Sequence, residues 1–217
     1  MPDLTKVYET LFARYGDLHW WPAKTPYEVM AGAVLTQNTA WRNVVKAIDN
    51  FKGTLTPEFV AQAEPAVLID IIRPAGFFSR KAECLIAVTA WYAGYSYDAE
   101  NVRSEPFKKI RAELCSVKGV GDETADSISL YAFDFLTFVV DAYTVRLCGR
   151  YTIETGGGYF GVKAFFESNL PKSIEIYKNF HALIIANAKE HCRKNKPLCS
   201  GCPLFEGCER RGINTVL

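Results

Sequence analysis

The chain has 217 residues, 49% of them hydrophobic, with 25 basic and 24 acidic side chains and a formal net charge of +1. That apolar content supports a packed core in one large domain or two small ones, and the longest apolar runs, 29–35 and 136–140, fall far short of the ~18 to 20 residues of a membrane span. The overall charge balance gives no support to a nucleic-acid partner, and a start at Met1 followed by Pro2, Asp3 and Lys6, with no apolar leader, argues for a cytosolic chain.

Apolar residues recur at helical spacing along the chain. Val7, Leu11, Phe12 and Tyr15 form one stripe, Val44, Val45 and Ile48 a second, and Leu85, Val88, Thr89 and Tyr92 a third. Sustained alternation of the strand type is absent. Breaks at Gly16, Trp21-Pro22, 54–57, Arg73-Pro74 with Gly76, 94–101, 119–121 and 156–158 divide the chain into about ten short helices. The fold class is therefore all-α. At Thr25-Pro26-Tyr27-Glu28, a capping hydroxyl, a proline in the first turn and a glutamate three positions on predict a helix start for the apolar segment that runs to Leu35.

The stretch 114–125 reads as helix, Gly119-Val120-Gly121 turn, helix. Glycines without Cβ atoms let such a turn press its amides against a phosphate, next to the positive end of the following helix. Contact through main chain carries no base information, so the device would grip DNA of any sequence. A plain αα-hairpin with a glycine turn is the simpler alternative. Asp141 follows the apolar run 136–140 and precedes a new helix, where it would cap free amides and still present its other oxygen outward.

Cys192, Cys199, Cys202 and Cys208 follow the spacing C-x6-C-x2-C-x5-C. Four thiolates hold either zinc or an iron–sulfur cluster. Only one short Cys pair is present, where a zinc ribbon uses two, so the spacing favours a [4Fe–4S] cluster reached from one winding loop. Six basic residues (Lys189, Arg193, Lys194, Lys196, Arg210, Arg211) against three acidic ones (Glu190, Glu206, Glu209) make this region modestly cationic. Cys84, Cys115 and Cys148 read as buried thiols.

Taken in order, the Thr36-Gln37-Asn38-Thr39 segment, the 117–121 hairpin, the Val140-Asp141 element running to Arg146-Leu147, and the cysteine loop resemble the endonuclease III superfamily of DNA glycosylases over nearly the whole chain. The resemblance implies a six-helix barrel with a helix-hairpin-helix over 23–135 and a terminal-helix domain around the [4Fe–4S] loop over 1–22 plus 136–217. Between them would lie a cleft for double-stranded DNA with a damaged base. A monomer is expected, in the bacterial or archaeal nucleoid. Val117, Lys118, Gly119, Val120 and Gly121 would grip DNA, and Asp141 would stabilise the oxocarbenium-like sugar or activate water. The His19-Trp20-Trp21-Pro22 pattern and Trp41 resemble the 3-methyladenine DNA glycosylase III subgroup. This implies base binding by Trp20, Trp21 and Trp41, whose indoles suit a cationic alkylpurine, with Gln37, beside Asn38, as the wedge that fills the gap left by a flipped nucleotide. The tryptophans would otherwise be core aromatics.

One position departs from the pattern of lyase-active members. Glu123 stands where their Schiff-base lysine would be, and a carboxylate forms no imine. A monofunctional glycosylase for alkylated purines is therefore expected. The alternatives are a glycosylase/lyase for oxidised pyrimidines and a non-catalytic iron–sulfur DNA-binding protein, the latter kept open by the acidic hairpin flank of Asp122, Glu123 and Asp126.

Overall fold

A computed structural model describes residues 3–212. Among them the regular elements are helical: α1 (Leu4–Tyr15), α2 (Pro26–Thr36), α3 (Trp41–Asp49), α4 (Pro57–Gln62), α5 (Pro65–Ile72), α6 (Phe78–Ala93), α7 (Ala99–Arg103), α8 (Phe107–Ser116), α9 (Asp122–Phe133), α10 (Ala142–Tyr151), α11 (Gly158–Asn169) and α12 (Ile174–Glu190). The all-α reading therefore stands. Short 3₁₀ turns add Arg73–Ala75, Cys199–Gly201 and Phe205–Gly207. Among the described residues no helix is long and apolar enough to cross a membrane.

The chain divides into two compact units. One is continuous, Trp21–Phe135, and the other joins Met1–Trp20 to Leu136–Leu217. In the continuous unit α2 is buried at every position from Tyr27 to Leu35 except Glu28. A helix apolar all round must sit in the middle of its unit, and α2 packs there against α9, α6 and α3. Its start follows the sequence signal: Thr25 Oγ1 accepts from Glu28 N at 3.1 Å and Glu28 Oε2 accepts from Lys24 N at 2.6 Å. Because α2 is central, the turn at its C-terminal end, Gln37–Thr39, is held on a rigid stem.

The discontinuous unit is built on α1 against α12 and α10 against α12. Phe138, Phe166, Tyr177 and Phe180 fill its core, with Phe138 and Phe166 stacked at 4.4 Å between centroids. Each such fully buried ring contributes on the order of 2 kcal/mol, enough to anchor the extended run that ends at Asp141. That run is also pinned through its backbone. Phe138 N donates to Glu167 Oε1 at 2.8 Å and Lys163 Nζ donates to Phe138 O at 3.1 Å, with Lys163 paired to Glu167.

Cys84 and Cys148 are buried as expected, whereas Cys115 is only half-buried, because it faces the charged Arg111–Asp122 pair. Burial pushes the Cys84 thiol up to about 11 and the Cys148 thiol to about 12, so both stay protonated.

Candidate active site

Asp141 is the N-cap of α10 in extended backbone geometry. Its Oδ1 accepts from Thr144 N at 2.7 Å and from Thr144 Oγ1 at 2.9 Å. Its Oδ2 lies 3.4 Å from His181 Nε2 on α12, so the second oxygen faces an imidazole that the sequence did not point to. Both side chains are buried, Asp141 with 8% exposure and His181 with 4%. Burial alone would raise the Asp141 carboxyl, but the His181 contact and charge, together with the two Thr144 bonds, outweigh it and hold the group below the ordinary aspartate range. Asp141 is thus a fixed anion.

In the same unit Lys189 Nζ sits 5.1 Å over the Trp20 ring. Partial desolvation lowers the Lys189 ammonium and the Asp141 charge opposes that fall, which places Lys189 within the field of the carboxylate. Trp20, Lys189, Asp141 and His181 therefore share one electrostatic neighbourhood. The lysine had no role legible in the sequence.

Trp21 and Trp41 meet in the continuous unit, edge to face at 5.8 Å, and Trp21 also lies 4.9 Å from Tyr131. A Cβ at Gly32 would come within 3.1 Å of the Trp21 indole nitrogen, so glycine on the central helix makes the room this ring occupies. Tyr131 is a buried aromatic that the sequence reading missed; its signal was its place on the helix that follows the hairpin.

The hairpin has the expected form. α8 leads into the turn and α9 leaves it with Gly121 as its N-cap, which makes no side-chain capping bond. Gly119 has φ +92°, and a Cβ there would meet Cys84 at 3.1 Å, so the free fold itself requires glycine. Gly121 differs: a Cβ there would meet nothing within 4 Å. Its missing side chain leaves open space in front of the first amides of α9. Lys118 is exposed and pairs with Glu83 at 2.9 Å; such a surface pair contributes little and leaves the ammonium exchangeable for a phosphate.

The acidic flank is neutralised from within. Arg111 on α8 donates Nε to Asp126 at 2.8 Å and Nη2 to Asp122 at 2.7 Å, and Asp126 is fully buried. Two of the three acids are therefore bound to a guanidinium. Asp122 and Glu123 also lie in the first turn of α9, where negative charge is favourable. Gln37 Nε2 donates to Gly119 O at 2.9 Å and Thr124 Oγ1 at 3.0 Å, so its amide rests on the hairpin. Asn38 beside it is exposed with φ +50°. Phe77, which no sequence motif marks, is a further exposed aromatic at 64% with φ +47°.

The four cysteines Cys192, Cys199, Cys202 and Cys208 line one small cavity together with Arg150, His191, Phe205 and Arg210. Among the described residues no three His, Cys, Asp or Glu side chains close on a point that would hold a single metal ion. Burial raises Cys202 and Cys208, and the neighbouring sulfurs raise them further, the repulsion a cationic centre would relieve. Arg150 Nη1 donates to Cys192 Sγ at 3.2 Å and to Arg193 O at 2.7 Å, and Arg146 Nε donates to Cys192 O at 2.7 Å.

Residues 31–172 match the family described as HhH-GPD superfamily base excision DNA repair protein. The chain belongs to this superfamily. A Methanocaldococcus jannaschii protein named as a candidate DNA repair glycosylase is 47% identical over 208 residues, covering 94% of each chain. Endonuclease III of Sulfolobus acidocaldarius is 26% identical over 187 residues, 84% of this chain and 81% of that one. Among solved structures, H. pylori 3-methyladenine DNA glycosylase bound to 1,N6-ethenoadenine is 28% identical with a TM-score of 0.77, covering 87% of this HhH-GPD chain and 98% of that one. A non-covalent endonuclease III–DNA complex, 23% identical with a TM-score of 0.81 over 95% of this chain and 94% of that one, shares the fold.

Proposed function

We propose that this HhH-GPD protein is a monofunctional DNA glycosylase that hydrolyses the N-glycosidic bond of alkylated purines in duplex DNA. The observation that carries the reading is Asp141: a buried, ionised carboxylate with its rotamer fixed by Thr144 and its second oxygen facing His181. C1′–N cleavage develops positive charge on the sugar, and an anion already desolvated and oriented stabilises that charge without reorganisation. Water delivered beside the carboxylate would complete hydrolysis with the proton passing to Asp141, leaving free base and an abasic site.

The hairpin supports the DNA half of the reading. Gly121 leaves the space a phosphate needs at the start of α9, and Arg111 removes the charge objection to an anion there. Gln37, Asn38 and the exposed Phe77 would face the duplex, with Gln37 leaving its hairpin bonds to fill the emptied stack. Lyase chemistry is disfavoured by Glu123 at the lysine position. The aromatic residues Trp20, Trp21 and Trp41, and the likeness to a 3-methyladenine glycosylase, favour purines over the oxidised pyrimidines of the alternative reading.

Cys192, Cys199, Cys202 and Cys208 would hold a [4Fe–4S] cluster, which when bound supplies a covalent brace and an electron-transfer centre. Arg146 and Arg150 orient the Cys192 end of that loop, and exposed Arg193, Lys194 and Lys196 offer charges to the phosphate backbone. The test is chromatographic release of free base from methylated duplex DNA by wild type and Asp141→Asn. Release of 3-methyladenine that vanishes in the variant is expected; folded, iron-loaded protein that releases no methylated base overturns the assignment.

A further inference from the structure

Lys81 on α6 is 3% exposed, and among the described residues no carboxylate pairs with it. Its Nζ donates to Leu35 O at 2.8 Å, Thr39 Oγ1 at 2.6 Å and Ala75 O at 2.9 Å. These acceptors come from three places: the last turn of α2, the turn that carries Gln37 and Asn38, and the 3₁₀ turn that leads to Phe77. Thr39 Oγ1 completes the mesh by donating to Ala75 O at 2.6 Å. Three acceptors match the three protons of an ammonium, whereas a neutral amine offers only two.

The two turns also share a conformation that needs holding. Asn38 has φ +50° and Phe77 has φ +47°, a region non-glycine residues occupy at a cost unless the surroundings enforce it. Both residues are exposed while the cation beneath them is buried. An ammonium buried without a counter-ion is an expensive way to join two loops, and desolvation lowers this one to about 8.

We propose that Lys81 is a positioning residue that locks the 37–39 and 73–77 turns into one rigid edge, from which Gln37, Asn38 and Phe77 probe DNA for a lesion. The inference rests on the glycosylase reading above, and it goes beyond that reading in naming what sets the geometry of the probe. The groups facing the ammonium from α2 and from both turns are two carbonyls and a hydroxyl, so its charge state follows its own burial.

The experiment compares full-length, iron-loaded wild type with Lys81→Met. Fluorescence anisotropy gives the affinity ratio between a duplex holding one tetrahydrofuran abasic analogue and the intact duplex, and hydrogen exchange follows 36–39 and 73–77 in the absence of DNA. Wild type should prefer the analogue, and Lys81→Met should lower that preference at least fivefold while both turns lose protection together. A simple packing role would lower the melting temperature and leave the ratio unmoved. Retained preference with unchanged exchange overturns the clamp alone; a wild type without preference overturns the glycosylase reading and the probe with it. Should Lys81→Met fail to fold, exchange in wild type at pH 7 and pH 9, corrected for intrinsic rates, decides the matter: because exposure returns the amine from about 8 toward 10.5, a clamp that opens by exposing Lys81 must protect both turns more strongly at pH 9, and equal or lower protection at pH 9 overturns it.

Discussion

His181 Nε2 stands 3.4 Å from Asp141 Oδ2, with both side chains sealed from solvent. The imidazole and the two Thr144 bonds hold the carboxyl low against the push of burial. A carboxyl depressed in the folded state contributes stability that is complete above the unfolded value of about 4 and is lost as pH falls through the folded value. His181→Ala removes a cause of the lowering and leaves burial in place. The acid limb of base release and of thermal stability should then both move to higher pH, and release near pH 6 should fall about tenfold or more. His181→Gln, which keeps a donor near Oδ2, should restore part of the loss. Superimposable pH–rate profiles for wild type and His181→Ala would refute the coupling.

The two hairpin glycines should behave oppositely. Gly119→Ala forces a side chain into φ +92° and against Cys84, at a cost of about 1 to 3 kcal/mol, so its melting temperature should drop. Gly121→Ala meets open space and should leave melting within a degree or two, yet weaken binding to any duplex because the methyl group would occupy the place proposed for a phosphate oxygen. Thermal melts paired with binding titrations separate the two; a Gly121→Ala protein with wild-type affinity would remove this turn from the DNA interface.

Glu123 offers a gain-of-function check. Wild type incubated with abasic duplex and borohydride should give no trapped complex, whereas Glu123→Lys places an amine in the first turn of α9 and should give a covalent adduct visible on a denaturing gel. Trapping by wild type would mean that another amine supplies lyase chemistry.

Lys81 makes stability itself pH-dependent. Its folded value of about 8 lies below the ordinary 10.5, so between those values the unfolded chain binds the extra proton and stability rises with pH, by at most about 3 kcal/mol. Urea unfolding at pH 8 and pH 10 should show this rise in wild type and its absence in Lys81→Met. Equal slopes in the two proteins would contradict it.

With the proposed cluster bound, removing its iron should act on one unit. Cys199→Ser or chelation frees the 192–208 loop, and the ends of α10 and α12 that Arg146, Arg150 and Asn187 tie to it should lose hydrogen-exchange protection, while α2 and α9 keep theirs. Uniform protection in iron-free protein would show that the loop is braced without metal.

Local chemistry explains what could be read from sequence. The Thr25-Pro26 start, the glycine turn and the capping Asp141 each follow from a few adjacent residues, and each is where that logic puts it. The partners of those groups were illegible because they come from far along the chain. His181 lies 40 positions from Asp141 in sequence, and Lys81 is 46 from Leu35 and 42 from Thr39. A lone His or Lys inside an amphipathic helix carries no sign of what it will face. The acidic flank misled for a related reason: Asp122 and Asp126 look like surface charge until Arg111, a full hairpin away, is folded over them.

The ordering of the two units along the chain also constrains how the protein is made. Residues 21–135 form one uninterrupted unit that is complete when the ribosome has passed α9. Helix α1 is synthesised well before its partner α12, and the Arg14–Glu190 pair between them closes a span of 176 residues. Such distant closure is slow. For most of synthesis, then, the apolar stripe of Leu4, Val7 and Leu11 has no home. Nascent chains should be most prone to aggregation through this helix, and a chain shortened before α12 would carry a finished hairpin unit together with an α1 that has lost its main packing partner.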